Sequence, residues 1–221
     1  MRKIVFPPVD TATEDGLVAI GGDLEVDTLI QAYKHGIFPW PISPDFPVAW
    51  FSPDPRGIIL FEELHVSKSF EKFLKKTKLQ VTFNQAFKEV IRNCAVILRK
   101  DQPSTWITPD ILNGYQKLFE AGLSYSVEVW NEERLVGGLY GVVMGDFVSG
   151  ESMFMLEDNA SKLALYGLIQ HLKTKGINWL DTQMVTPVVE QFGGQYVDRD
   201  DFLLMLQKKD WQKKRSEIFA S

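Results

Sequence analysis

The central part of the chain constrains the fold most. The segment YSVEVWNEERLVGGLYGVVMGDFVSGESMF, residues 125–154, is interrupted by turn residues at Asn131–Arg134 and Gly145–Asp146. This pattern predicts successive antiparallel strands joined by short turns. A helical segment, NASKLALYGLIQHLKTKG, and a strand-like segment, INWLDTQM, follow directly. We therefore expect helices packed on a largely antiparallel sheet, which is an α+β fold.

Four helices and two strands are predicted before this run. In the segment TPDILNGYQKLFEAG, Thr108 is expected to be the N-cap, and the helix in NQAFKEVIRNCAVIL is expected to begin at Asn84. The segment SKSFEKFLKK reads as a basic amphipathic helix. Nearer the start, Asp27 is expected to cap a short helix that ends at Gly36. The segments IILFEEL and LQVTF read as strands.

A proline-rich aromatic segment, GIFPWPISPDFPVAWFSPDPRG, suggests either an ordered aromatic loop or a boundary between two units. It is expected to be rigid, because each proline fixes its own φ and restricts the residue before it. We predict a small N-terminal α/β domain over residues 1–55 and a larger domain over residues 56–221. The order of hairpin strands, helix and strand in the larger domain resembles the core of N-acetyltransferases (GNAT). A GNAT-like C-terminal domain is therefore expected.

The composition is that of a folded protein, with 221 residues, 45% of them hydrophobic and 24% charged. No apolar run is long enough to cross a bilayer, and the start, MRKIVFPPVD, lacks the apolar stretch of a secretory signal. The single cysteine, Cys94, excludes an internal disulfide and is compatible with a reducing compartment. A monomeric protein of the cytoplasm is expected.

Metal and cofactor sites are not predicted. His35, His65 and His171 are scattered, and no spacing typical of zinc ligands occurs. The segment RLVGGL begins like the pyrophosphate loop of CoA-dependent acetyltransferases but ends in Leu139, whose side chain would intrude on the phosphate. The chain therefore looks like an acetyltransferase fold without the CoA site, and we expect neither a metal nor a cofactor.

Charge is distributed unevenly along the chain. Between Leu64 and Lys100, nine Lys or Arg residues against two acidic ones give +7, and because the whole chain carries −5 the remainder carries −12. A solvated, lysine-rich helix face explains such a run without any ligand. The alternative is a phosphate-binding patch on an otherwise acidic protein.

Two polar groups in apolar surroundings are candidates for chemistry. Asp181 and Gln183 lie two residues apart in the predicted strand NWLDTQM, so regular alternation would point both side chains the same way. They are either a structural polar pair that closes a strand or part of a site. Glu151 precedes a helix whose first turn holds Ser161 and Lys162. It is either a surface acid or an anionic recognition point at the edge of the sheet.

A set of motifs resembles one known family. The stretches YKHGIFPWPISP, WFSPDPRG, STWIT, VGGLYGV, GESMF, NASK and LDTQ occur in the order found in leucyl/phenylalanyl-tRNA–protein transferases, from about residue 16 to about residue 206. Members of that family move Leu or Phe from an aminoacyl-tRNA to the α-amino group of a protein that begins with Arg or Lys. The transfer marks the acceptor for degradation by the N-end rule pathway. The resemblance implies this activity here, with Met as a further candidate donor residue and without metal or CoA.

The resemblance also implies roles for individual residues. The amide oxygen of Gln183 would accept a hydrogen bond from the attacking amine, Asp181 would orient and polarise that amide, and Glu151 would bind the positively charged acceptor terminus. The 3′-terminal adenosine would be held by Trp40, Trp106 and Tyr33. The Leu or Phe side chain would enter an apolar pocket formed by Leu139, Val148, Leu168, Leu172 and Leu180. The tRNA backbone would contact Lys72, Lys75, Lys76 and Lys162.

The chain departs from the pattern of the family at one place, and two alternative functions are open. Relatives commonly carry a histidine in the stretch after the LDTQ motif, whereas this chain has VVEQFGG there and no histidine follows Gln183, so a proton relay through such a histidine is not expected. A FemX-like ligase, also dependent on aminoacyl-tRNA but with a non-protein acceptor, is one alternative. A tRNA- or peptide-binding module without turnover is the other.

Overall fold

The computed structural model describes residues 5–43, 46–97 and 107–219. A small sheet forms from the N-terminal part of the chain. Its strands β1 (Leu17–Ile20), β2 (Phe38–Pro39) and β3 (Ala49–Phe51) are antiparallel in the order β1-β3-β2. The first helix, α1 (Val26–Lys34), connects β1 to β2. The predicted boundary after residue 55 stays a prediction.

The larger sheet confirms the predicted antiparallel run. Its strands are β5 (Gln80–Phe83), β6 (Ser124–Asn131), β7 (Arg134–Met144), β8 (Phe147–Val148) and β9 (Ser152–Met155). The order is β5-β6-β7-β8, and β9 also pairs with β7, so one long strand has two successive partners on the same edge. The residues between β8 and β9 are thereby held close to the middle of β7.

A third sheet joins distant parts of the chain. Strand β4 (Arg56–Leu60) lies between β10 (Trp179–Gln183) and β11 (Gly194–Val197), and both pairings are antiparallel. The register of β10 against β4 shifts between Asp181 and Gln183, which marks a bulge at the end of the strand. The segment IILFEEL is thus a strand only to Leu60, because a short 3₁₀ helix, Phe61–Glu63, follows.

The remaining helices cover the sheets. They are α2 (Lys68–Leu74), α3 (Phe87–Val96), α4 (Pro109–Glu120), α5 (Ala160–Thr174), α6 (Pro187–Gln191), α7 (Arg199–Gln207) and α8 (Arg215–Ile218). The mixture of helices with mainly antiparallel sheets confirms the expected α+β class. No helix within the described ranges is long and apolar enough to span a membrane.

One of the three predicted helix starts was correct. The Thr108 hydroxyl accepts from the Ile111 N–H, as expected for the N-cap of α4. The prediction for Asn84 was wrong, because α3 begins after Ala86 and the side chain of Asn84 instead accepts from the Ser126 N–H on β6. The prediction for Asp27 was also wrong, because this residue lies inside the first turn of α1.

Candidate active site

Glu151 is placed by an unusually close approach of two backbones. The segment between β8 and β9 runs alongside β7 and forms the hydrogen bonds Ser149 N–H to Val142 O and Glu151 N–H to Tyr140 O. Between these two bonds, a Cβ atom on Gly141 would lie 1.8 Å from the Ser149 carbonyl oxygen. Only glycine allows that approach. The glycine on β7 therefore brings Glu151 to the end of β10, where Gly150 donates its N–H to the Asp181 carbonyl at 2.8 Å.

The Glu151 carboxylate accepts three side-chain hydrogen bonds. Its Oε1 accepts from the Ser149 hydroxyl at 2.6 Å and from the Gln183 amide nitrogen at 3.2 Å. Its Oε2 accepts from the Tyr115 hydroxyl at 3.2 Å, and that hydroxyl also lies 2.5 Å from the hydroxyl of Tyr33. A carboxylate offers about four acceptor positions, and the hydroxyl of Tyr33 is a further hydrogen-bond partner of this one.

The surroundings of Glu151 perturb its ionisation. Burial raises the pKa of Glu151 from 4.5 to about 7, and the nearby Asp181 carboxylate also raises it. Hydrogen bonds from Ser149, Tyr33 and Tyr115 act in the opposite direction. Burial, followed by the charge of Glu151, raises the pKa of both tyrosines well above its usual value. Both phenols therefore stay protonated and can donate near neutral pH.

Asp181 forms a buried ion pair with an arginine from β4. The guanidinium of Arg56 donates from Nε to Oδ1 at 2.9 Å and from Nη2 to Oδ2 at 2.7 Å, and its third bond, from Nη1, goes to the carbonyl of Gly36. Arg56 is 1% exposed and Asp181 is 0% exposed. This bidentate pair fixes the end of β10 to β4 and to the end of α1.

The predicted contact between the Asp181 carboxylate and the Gln183 side-chain amide is not formed, so that prediction needs correction. Asp181 Oδ1 accepts from the backbone N–H of Gln183 at 3.0 Å, whereas the side-chain amide donates to Glu151. The bulge and a φ of +57° at Gln183 break the regular alternation on which the expectation of parallel side chains relied. Asp181 thus acts on the backbone of Gln183 rather than on its amide.

The three residues predicted at the adenosine have different outcomes. Trp40 is partly exposed and packs against the core, so part of its surface is open to a base. Tyr33 is only 1% exposed and its ring contacts Phe147, and its predicted contact with the adenosine stays a prediction. Tyr33 reaches the site through its hydroxyl, which binds that of Tyr115. Trp106 lies outside the described residues.

The five residues predicted for the Leu or Phe pocket lie in one hydrophobic cluster. Each of the five side chains is 2% exposed or less, and the residues belong to β7, β8, α5 and β10. Leu180 also lies 3.8 Å from where a Cβ atom of Gly150 would be, with no other atom of the neighbouring segments within 4 Å of that position. These residues are packed in the core and line neither of the cavities described below, so the pocket stays a prediction for Leu139, Val148, Leu168, Leu172 and Leu180.

The basic segment is partly described. The side chains of Lys72, Lys75 and Lys76 are exposed on and after α2, which agrees with either a solvated face or a phosphate-binding patch. Lys162 is partly buried in the first turn of α5. Arg99 and Lys100, at the end of the basic segment, lie outside the described residues.

Two cavities lie away from these polar groups. One, of about 830 Å³, is lined by the N-terminal segment with α1 and α7, including Phe6, Lys34 and Trp211. The other, of about 390 Å³, is lined by Pro41, Thr108 and the start of α4. The second cavity includes Pro41, which directly follows Trp40. No cluster of three or more potential metal ligands occurs among the described residues.

Three residues of the site were not singled out from the sequence. Arg56 is 125 positions from its partner Asp181, and Tyr115 is 36 positions from Glu151. Ser149 is only two positions from Glu151 and could have been noticed as a neighbouring donor. Tyr115 lies on the buried stripe of α4, where its apolar ring conceals the role of its hydroxyl.

The arrangement can hold a cation and orient an amine. A largely buried carboxylate lies beside a neutral amide, and Leu180 of the apolar cluster lies near the segment that carries the carboxylate. Neither the amide nor the carboxylate forms the nucleophile pair of a hydrolase. Such a site suits a transfer in which both reactants bring their own reactive groups and the protein aligns them.

Comparison with known proteins agrees with this class. The family described as leucyl/phenylalanyl-tRNA protein transferase matches residues 58–207, and the N-terminal domain of the same family matches residues 22–54. The leucyl/phenylalanyl-tRNA–protein transferase of Flavobacterium johnsoniae is 45% identical over 208 residues, which are 94% of this chain and 98% of that protein. The corresponding protein of Pseudomonas fluorescens is 47% identical over 203 residues, 91% of this chain and 89% of that protein. The chain belongs to the leucyl/phenylalanyl-tRNA–protein transferase family.

Solved structures resemble the chain more distantly. The structure of L-PGS from Bacillus licheniformis superposes with a TM-score of 0.44 and 12% identity, over 72% of this chain and 52% of that one. Similarity at this level carries no inference about function.

Proposed function

We propose that this chain transfers Leu or Phe from an aminoacyl-tRNA to the α-amino group of proteins that begin with Arg or Lys. The membership of the family supports the reaction class. The hydrogen bond between the Gln183 amide and the Glu151 carboxylate is the observation that carries the proposal, because it joins an orienting group to an anionic group. The acceptors would thereby be marked for degradation by the N-end rule pathway, with Met as a third candidate donor residue.

The reaction is the aminolysis of an ester. The neutral α-amine attacks the ester carbonyl carbon, a C–N bond forms, the C–O bond to the terminal ribose breaks, and the amine loses a proton. A terminal amine has a pKa of about 7.7–8.0, so a useful neutral fraction exists near pH 7. Positioning of the two reactants supplies most of the acceleration in such a reaction.

Gln183 orients the attacking amine. When Glu151 is ionised it can only accept, and in that state the amide NH₂ of Gln183 faces Glu151 and its amide oxygen faces away. Among the described residues, no donor occupies that oxygen. It is therefore available to accept a hydrogen bond from the amine of the acceptor. A neutral amide is too weak a base to keep the proton, which leaves through water or the ribose of the tRNA.

Glu151 binds the positive charge of the acceptor terminus. The carboxylate accepts from Ser149, Gln183 and Tyr115, and a charge-assisted bond from the acceptor would be stronger than these neutral ones. The bond is strongest when Glu151 is ionised, and because burial raises its pKa to about 7, ionisation is incomplete at neutral pH. Binding of a cation would pull the carboxylate towards its ionised form.

The 3′ end of the aminoacyl-tRNA, which carries the donor amino acid, is bound by groups other than Gln183 and Glu151. Trp40 offers a partly exposed ring for the terminal adenine, and stacking of a base on an aromatic ring contributes about 1–3 kcal/mol. The apolar cluster around Leu139 and Leu180 accepts the Leu or Phe side chain. One methylene changes discrimination by only about 1–3 kcal/mol, so selectivity between Leu, Phe and Met is expected to be loose.

The setting of the reaction is also part of the proposal. The exposed lysines of α2 and Lys162 bind the tRNA backbone, the larger domain is GNAT-like, and the protein acts as a monomer in the cytoplasm without metal or cofactor. The order of strands β6 to β9, helix α5 and strand β10 supports the GNAT-like assignment.

The test combines donor and acceptor choice. Purified protein is incubated with labelled Leu-tRNA or Phe-tRNA and with peptides that begin with Arg, Lys or Ala. We expect label on the Arg and Lys peptides and none on the Ala peptide. Transfer to a muropeptide instead would support the FemX-like alternative, and donor binding without any transfer would support a binding module. Either result would overturn the proposal.

Gln183→Ala tests the orienting role directly. The single-turnover rate at saturating donor is expected to fall on the order of 100-fold, since the amine loses its alignment. Gln195→Ala is the matched control, because Gln195 is an amide on β11 that donates to Glu63 at the surface. Full single-turnover transfer by Gln183→Ala would remove Gln183 from the mechanism.

A further inference from the structure

Gln183 lies at the centre of a strained turn. The N–H of Met184 donates to the carbonyl of Thr182 at 2.6 Å, a bond across three residues, and the φ of Gln183 between them is +57°. A three-residue turn with a positive central φ is rare and strained for a residue with a side chain. Such a conformation persists only where the surrounding structure enforces it. The structure therefore needs groups that hold this turn.

One of these groups is the backbone slot at Gly57. Gly57 on β4 pairs with Gln183 on one side and with Tyr196 on the other. A Cβ atom on Gly57 would lie 2.6 Å from the carbonyl carbon, 2.8 Å from the Cα and 2.9 Å from the nitrogen of Met184. All three atoms belong to the backbone and cannot rotate away. The missing side chain at Gly57 is what lets the chain fold back over β4 directly after Gln183.

The other group is the hydroxyl of Tyr196. It accepts a hydrogen bond from the backbone N–H of Val185 at 3.2 Å, although the tyrosine itself is 52% exposed. Because Tyr196 and Gln183 flank Gly57 in the sheet, this bond reaches across the slot and ties down the residue that follows the turn. On the near side of the turn, Asp181 accepts the N–H of Gln183. The turn is thus held at both ends.

We propose that Gly57 and Tyr196 are positioning residues that hold Gln183 in its strained turn and so aim its amide at the reacting amine. This inference rests on the proposed role of Gln183. Neither residue touches the reactants. A released turn would relax towards a negative φ, and the amide would swing away from Glu151. Tyr196 therefore contributes to the rate of transfer although it contributes little to the core.

The deciding variant is Tyr196→Phe, which removes the hydroxyl and keeps the ring. We expect the single-turnover rate to fall about 3- to 10-fold, the effect of one lost hydrogen bond on alignment. The KM for an Arg-peptide and the thermal midpoint should stay at their wild-type values. Tyr166→Phe is the control. Tyr166, on α5, packs its ring against Phe70 of α2, and its hydroxyl bonds to no described residue. Gly57→Ala is expected to lower the rate further, on the order of 100-fold.

A double variant separates this inference from the role of Gln183. If Tyr196 acts through Gln183, Tyr196→Phe should have no further effect on the rate of Gln183→Ala. Independent effects that multiply would overturn the inference, and so would a wild-type rate for Tyr196→Phe beside a slow Gln183→Ala. A wild-type rate for Gln183→Ala would instead show that the proposed role of Gln183 has failed.

Discussion

The ion pair between Arg56 and Asp181 makes a quantitative prediction possible. Arg56→Met loses two bonds to Asp181 and one to Gly36, and it also loses the stacking of the guanidinium on the rings of Phe38 and Phe202. The Asp181 carboxylate is 0% exposed and would keep only the N–H of Gln183 among its described partners. Breaking a buried pair by removing one partner costs about 3–5 kcal/mol, because the other charge stays buried without compensation.

This loss is large compared with the stability of a domain, which is about 5–15 kcal/mol. For a chain of this length each kcal/mol shifts the thermal midpoint by about 2–4 °C, so a decrease of roughly 6–20 °C is expected. Circular dichroism on heating and urea unfolding both measure it.

The control is a second arginine in an exposed ion pair. Arg134 is 68% exposed and pairs with Glu157 at the surface. Arg134→Met should change the free energy of unfolding by no more than about 0.5–1 kcal/mol. Equal losses in the two variants, or a loss below about 1 kcal/mol for Arg56→Met, would refute the reasoning that burial makes this pair structurally important.

Two further predictions concern the substrates. Glu151→Gln should raise the KM for an Arg-peptide and abolish its pH dependence, since wild-type KM should fall as Glu151 ionises through pH about 7. The pKa of Glu151 is higher in the folded protein than in the unfolded chain, so folding favours the protonated carboxyl. Relative to Glu151→Gln, the free energy of unfolding of the wild type should therefore decrease as pH rises from 4.5 to about 7. Parallel changes of this free energy with pH in both proteins would contradict the prediction. Neutralising Lys72, Lys75 and Lys76 together should make the slope of log K against log salt for tRNA binding shallower by about 2–3. An unchanged slope would place the tRNA-binding surface elsewhere.

Local patterns predicted most of the secondary structure. The antiparallel run from β6 to β9 and the cap at Thr108 depend on residues close in the chain, so their signals are visible in the sequence. The predicted cap at Asn84 was wrong because the contact that its side chain makes is distant in the sequence. Its side chain is used by Ser126, 42 positions away, and the local preference for a helix start does not include that partner.

The site was predicted less completely than the fold. The strand pattern and the family resemblance singled out Glu151 and Gln183 as candidates, but the contact between them depends on the approach at Gly141 and on the bulge that ends β10. Side chains alternate with a period of two along a regular strand, so those of Asp181 and Gln183 were expected to point the same way. Gln183 has a positive φ at the bulge, and the two side chains bond to different partners. Such strained positions are where local rules are expected to fail, because the long-range structure overrides them.

A crystal structure with a hydrolysis-resistant aminoacyl-adenosine tests the central claim most directly. The analogue carries Leu on the 3′ position of adenosine through an amide. The account predicts that its adenine lies against Trp40, its Leu side chain enters the cluster that contains Leu180, and its carbonyl lies within about 3.5 Å of the Gln183 amide. An analogue bound instead in the cavity between Phe6 and Trp211, with the Gln183–Glu151 cluster empty, would contradict the account.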